Sequence, residues 1–160
     1  MKRLFVLLLA LAMMLAMAAC GEGLVDDQGN GGVVTTTASQ NLGKYSVTID
    51  GCRLAKDYSG NDVVIVQYTF TNVSDDDATS FMVAFDDQVY QNGVGLNGAY
   101  VLDDSANYDS GNQMKQIKKG ASIQVEVAYE LNDLTSDIEV EVSELFSLND
   151  NVVKKTFKLG

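Results

Sequence analysis

The feature that most constrains this chain is an alternation of apolar and polar residues that recurs through its C-terminal two-thirds. It is clearest where Ile123, Val125, Val127, Tyr129 and Leu131 alternate with Gln124, Glu126 and Glu130. A period of two puts one set of side chains on each face of a strand, so each such run buries one face only. Ile138, Val140 and Val142 repeat the pattern between Glu139 and Glu141, and Val153, Phe157 and Leu159 extend it. Earlier, Val64, Val66, Tyr68 and Phe70 form an apolar face opposite Gln67, Thr69 and Thr71, and Phe81, Val83 and Phe85 suggest a further strand. Tyr45, Val47 and Ile49 also alternate, but the parity flips to Cys52 and Leu54 after Asp50-Gly51. One extra residue at Asp50-Gly51, a β-bulge, accounts for the flip.

Turn-forming residues separate the runs: Ser59-Gly60-Asn61, Ser74 to Asp77, Asn92-Gly93, Asn97-Gly98, Ser110-Gly111-Asn112 and Lys119-Gly120. Asn-Gly pairs suit the type I′ turn of a hairpin, where both central residues need positive φ. About seven or eight short one-faced strands predict an all-β protein, an antiparallel β-sandwich of two packed sheets. No Cys–Trp–Cys spacing marks an antibody-type domain.

The N-terminus follows different rules. Lys2 and Arg3 precede Leu4–Ala19, sixteen residues without a polar side chain. A membrane span needs about 20, whereas a basic head, a shorter apolar run and small residues describe a secretory leader. Met17-Ala18-Ala19-Cys20 resembles a bacterial lipobox, although Met17 replaces the usual Leu. That resemblance implies a signal peptide over 1–19, cleaved before Cys20, with diacylglycerol on the Cys20 thiol. Each buried methylene contributes about 0.8 kcal/mol, so two or three long acyl chains hold where one is marginal. The expected location is the outward face of a cell membrane, with the membrane itself as a partner through the lipid.

Residues 20–43 are the lipidated Cys and a tether rich in Gly and Thr, of root-mean-square reach roughly 25–30 Å. An extra edge strand over Val33–Thr37 is the alternative there. The sandwich domain is assigned to 44–160. With Cys20 lipidated, Cys52 is left as a lone thiol, a small core hydrophobe rather than half of a disulfide. Arg53 is expected on the opposite face.

Composition narrows the chemistry. The net charge is −11, and loss of Lys2 and Arg3 with the leader takes it to −13. So acidic a body repels nucleic acid. With no His, the commonest proton shuttle and most zinc sites are missing. There is no Ser-x-x-Lys, Gly-x-Ser-x-Gly or His-pair motif, so no enzyme activity and no catalytic residues are expected. Asp57, Ser59 and Asn61 occupy the first three ligand positions of an EF-hand loop, but Gly60 falls at the fourth position rather than the sixth and Tyr68 stands at the twelfth in place of Glu, so the motif fails. Asp75, Asp76, Asp77, Asp103, Asp104 and Asp109 are weak calcium candidates; otherwise no metal or cofactor is expected. Tyr108, within the polar loop 103–112, is a candidate recognition residue, since loops on a rigid scaffold carry binding and Tyr brings large area with few rotors.

Several stretches resemble a group of uncharacterised Gram-positive lipoproteins carrying an immunoglobulin-like domain of unknown function. These are VIVQYTFTN (64–72), VYQNGV (89–94), MKQIKKG (114–120), AYELND (128–133) and IEVEV (138–142). Lys119 stands where such proteins often carry Pro. The group is related in fold to a secreted immunogenic antigen of mycobacteria. The resemblance implies an immunoglobulin-like sandwich and no assigned activity. The expected function is therefore a surface-displayed binding module for an envelope protein, a glycan or a host ligand. A calcium-stabilised structural domain and an accessory subunit or chaperone of an exported protein are the alternatives.

Overall fold

The computed structural model describes residues 38–75, 78–102, 106–148 and 150–160. The leader, Cys20 and tether residues 20–37 lie outside these, as do Asp76, Asp77, Asp103 and Asp104. Among the described residues eight strands form two four-stranded antiparallel sheets. They are β1 (Ala38–Asn41), β2 (Tyr45–Lys56), β3 (Asp62–Asn72), β4 (Phe85–Gln91), β5 (Val94–Gly95), β6 (Ser122–Glu130), β7 (Ile138–Glu144) and β8 (Val152–Phe157). The first sheet has the order β1-β2-β3-β6 and the second β5-β4-β7-β8. β2, β3 and β6 thus take the places of strands A, B and E of an immunoglobulin domain, and β5, β4, β7 and β8 those of C′, C, F and G. The expected all-β immunoglobulin-like sandwich is the observed fold.

One-faced strands explain the packing. Val47, Ile49, Val64, Val66, Tyr68, Phe70 and Val125 of the first sheet meet Val89, Ile138, Val140, Val142, Val153 and Phe157 of the second. At one end Phe70 contacts Tyr45 and Phe85 edge-on, with centroids 6.0 and 5.4 Å away. The predicted bulge is present: Ile49 pairs with Tyr68 and Gly51 with Gln67, leaving Asp50 as the extra residue. Asn92 (φ 54°) and Gly93 (φ 75°) make the β4–β5 hairpin turn, as their sequence predicts.

Three expectations need correction. Ala38–Asn41, placed in the tether, form the edge strand β1, with Ala38 opposite Ile49; the sandwich begins before residue 44. Phe81, Val83 and Phe85 do not share a strand. Phe81–Ala84 is one helical turn, because Phe81 and Ala84, three apart, are the buried pair while Met82 and Val83 face out. Asn97-Gly98 makes no hairpin; Gly98 instead bridges to Tyr129.

That bridge belongs to a segment standing where an immunoglobulin strand D would lie. Along the outer edge of β6, Ala99 N–H donates to Ala128 O (2.8 Å) and Glu130 N–H to Asn97 O (2.9 Å). The Asn112 and Gln113 amides donate to Gln124 O (3.0 Å) and Glu126 O (2.6 Å). An exposed edge that could template aggregation is thereby closed. The same segment lays Val101 and Tyr108 over Val63, Ile65 and Ala128, making a second small core on the outer face of the first sheet.

Candidate functional site

The outer face of the second sheet holds an open groove of about 660 Å³. Its floor follows from strand register. Tyr90 of β4 stands opposite Glu139 of β7, which stands opposite Thr156 of β8; in the next row Glu141 joins the floor, with its register partners Gln88 and Lys154 outside the lining. The outward parity of these residues is the reverse of Val89, Val140 and Lys155. The Tyr90 ring lies over Gly95, where a Cβ would come within 3.8 Å of the ring.

The wall is built by Gln91, whose side chain is buried and fully bonded. Its Nε2 donates to the carbonyls of Asp133 (2.9 Å) and Ser136 (3.0 Å). Its Oε1 accepts the N–H groups of Asn132 (2.9 Å) and Asp133 (3.2 Å). The loop is then closed by the Asp133 carboxylate, which accepts the N–H groups of Ser136 (2.6 Å) and Thr135 (2.8 Å). Those bonds hold the Asp133 carboxyl down to about 2. Asn92 Nδ2 reaches across to Ser136 Oγ at 3.0 Å, tying the hairpin turn to the loop. Both rims of the groove are therefore fixed by hydrogen bonds.

Electrostatically the groove is one-signed. Asp137, Glu139 and Glu141 line it, and no Lys or Arg does. Lys154 sits beside it and is ion-paired with Glu141. The hydrogen bond between them lowers the Glu141 carboxyl and raises the Lys154 ammonium. Such a surface can take hydrogen-bond donors and cations.

Those residues singled out by sequence that the structure describes fall elsewhere. Tyr108 is not a solvent-facing contact residue: it is 7% exposed and packed in the second core. Its hydroxyl accepts from Gln113 Nε2 at 3.2 Å. Asp75 is ion-paired with Lys119, and Asp109 caps the short 3-10 helix Ser110–Met114 through Gly111 N–H. Among the described residues no group of three His, Cys, Asp or Glu is placed to hold a metal ion. A smaller pocket of about 320 Å³ does include Asp50, Asp109 and Glu126. There Glu126 is already engaged by Arg53 (2.8 Å) and Gln67 (2.9 Å), and it accepts the N–H of Asp109 (3.3 Å), so it fastens the loop to the sheet. The Asp57 carboxylate closes its own hairpin through the N–H groups of Ser59 and Asn61, each 2.8 Å away. Cys52 is half-buried against the core, as expected, and burial pushes its thiol up to about 11.

Fold and groove together define an immunoglobulin-like β-sandwich module with a preformed, acid-lined face. Residues 35–144 match the family described as a domain of unknown function, DUF5067, and the chain belongs to that family. Among solved structures it is similar to the ycdA protein of Bacillus subtilis, described as a putative lipoprotein. The identity is 14% and the TM-score 0.59, over 78% of this chain and 39% of that one. It is also similar to the yjhA protein of Bacillus subtilis, at 12% identity and TM-score 0.51, over 76% of this chain and 96% of the other. At these identities the likeness is one of fold. This chain spans well under half of ycdA. No curated protein sequence gives a significant match. Among the described residues no helix is long and apolar enough to cross a membrane.

Proposed function

We propose that this chain is a lipoprotein, anchored through a diacylglyceryl Cys20, that holds an immunoglobulin-like binding domain on the outward face of a cell membrane. The observation that carries the reading is Met17-Ala18-Ala19-Cys20 at the end of a basic-headed apolar run. The description of ycdA supports it, since a protein so described contains the same fold. The domain acts by binding, through the groove on the second sheet, and uses neither a catalytic group nor a cofactor. Nucleic acid is not its ligand, because the body carries net negative charge. The test is incorporation of labelled palmitate together with detergent-phase partition of the full chain, against Cys20→Ala. Label and partition that vanish in Cys20→Ala support the anchor; an unlabelled, aqueous wild-type chain overturns it.

A further inference from the structure

The two sheets differ in what covers their outer faces. The first carries the 97–102 and 106–114 segments, with Val101 and Tyr108 packed onto it. On the second, Asp86, Gln88, Glu139, Lys154 and Thr156 are exposed. Resting on the binding role proposed above, we infer that this second face docks an extended peptide segment of a partner protein that bears Lys or Arg at alternate positions.

Charge complementarity and spacing identify the occupant. Three carboxylates line the groove without a basic residue among its walls. Glu139 and Glu141 project from the same face of β7, two residues and so about 7 Å apart at Cα. An extended ligand repeats its side chains on one face at the same interval, so cations at alternate positions meet both acids in register. Tyr90, seated on Gly95 beside Glu139, offers a ring face to a cation. The chain supplies its own demonstration: the Lys154 ammonium sits on Glu141. Lys154 therefore competes with the incoming side chain for one of the two acids. The rims are already fixed by Gln91 and Asp133, so little ordering remains to oppose binding.

The experiment uses the full chain in detergent micelles at physiological salt. The probe is a fluorescein-labelled Lys-Ser-Lys-Ser-Lys-Ser peptide followed by anisotropy. One saturable site is expected. The double variant Glu139→Gln/Glu141→Gln should weaken binding at least tenfold, Tyr90→Leu several-fold, and Lys154→Met should strengthen it. Melting curves confirm that each variant is folded. The control Glu130→Gln/Asp150→Asn removes the same charge away from the groove and should stay within twofold of wild type. Equal loss in this control would show diffuse attraction to an acidic body and overturn the proposal. So would the absence of a saturable site, weaker binding by Lys154→Met, or Tyr90-dependent binding of a neutral chitin hexamer without peptide binding. Failure here is distinct from failure of the anchor, which is read from palmitate label and phase partition.

Discussion

Lys155 donates to the carbonyl of Ile49 across the sandwich, at 2.8 Å, and to that of Asp50 at 3.0 Å. The bond joins β8 of one sheet to the bulge in β2 of the other, where the extra residue leaves the ladder without its regular pairing. The ammonium also lies 4.9 Å from the Phe157 ring centre. A buried lysine pays for desolvation, and burial does lower its ammonium, with Asp50 opposing. Lys155→Met keeps the stem and removes the donor, leaving both carbonyls facing apolar surface. A loss of about 1–3 kcal/mol is expected by guanidinium denaturation. A gain would mean that desolvation outweighs the two bonds.

Asp87 is the second polar link between the sheets. It points inward from β4 and accepts the hydroxyl of Tyr129 on β6. Burial raises its carboxyl above the ordinary 3.8, the Tyr129 bond opposing. In the window above the unfolded value and up to the raised native one, the folded state holds the proton more tightly. Stability from this group is therefore present below the unfolded value and falls as pH rises through the native one. Asp87→Asn keeps an acceptor for Tyr129 and removes the charge. It should raise the melting temperature at pH 7 and leave it close to wild type near pH 3; an equal shift at both values would refute the titration account.

Gln91 meets four backbone groups of the 132–136 segment with one carboxamide. Gln91→Leu is near in volume but leaves two carbonyls and two N–H groups without partners. A cost of about 2–3 kcal/mol is expected in urea denaturation. Gln91→Glu keeps the acceptor and turns both donors into a charge facing two carbonyls, so it should be at least as damaging at pH 7. A Gln91→Glu protein as stable as wild type would remove the carboxamide from its assigned role.

Cys52 should be inert in the native protein. Raising its thiol to about 11 cuts the thiolate fraction at pH 8 by roughly a hundredfold relative to a value of 9. If Cys20 carries the proposed lipid, thiol titration of the full chain with an aromatic disulfide reagent should find no fast thiol in the native state and one after denaturation. Two thiols after denaturation would show an unmodified Cys20.

The residues that were legible are those with one buried face. β6 and β7 alternate cleanly because Val125, Tyr129, Ile138, Val140 and Val142 face a core while Glu139 faces water. The bulge was legible because a parity flip has few other causes. β1 was not: Ala-Ser-Gln-Asn is polar, and what fixes it is the ladder to β2, which composition does not encode. Phe81–Ala84 satisfied both a strand period and a helical i, i+3 contact, and tertiary packing on Tyr68 and Phe85 chose the second. The groove was hidden because its outward residues come from three strands and two turns. Singly, Glu139, Glu141 and Thr156 look like any solvated strand face. Only register shows them as one surface.

Tyr108 illustrates the opposite error, and it yields the last prediction. Its polar neighbours Asn107, Asp109 and Ser110 suggested an exposed ring. The contrary signal was the unbroken run Val63-Val64-Ile65-Val66, which leaves two side chains on the face away from the main core. Val63 and Ile65 need a cover, and Tyr108 with Val101 supplies it. Tyr108→Ala should therefore act as a core truncation, costing about 3 kcal/mol or more in urea. Tyr108→Phe keeps the ring and loses the bond from Gln113, and should cost about 1 kcal/mol. Neither change touches the second sheet, so peptide anisotropy at the groove should keep its wild-type midpoint wherever the variant remains folded. If Tyr108→Ala instead left stability intact and abolished ligand binding, the ring would be a contact residue after all.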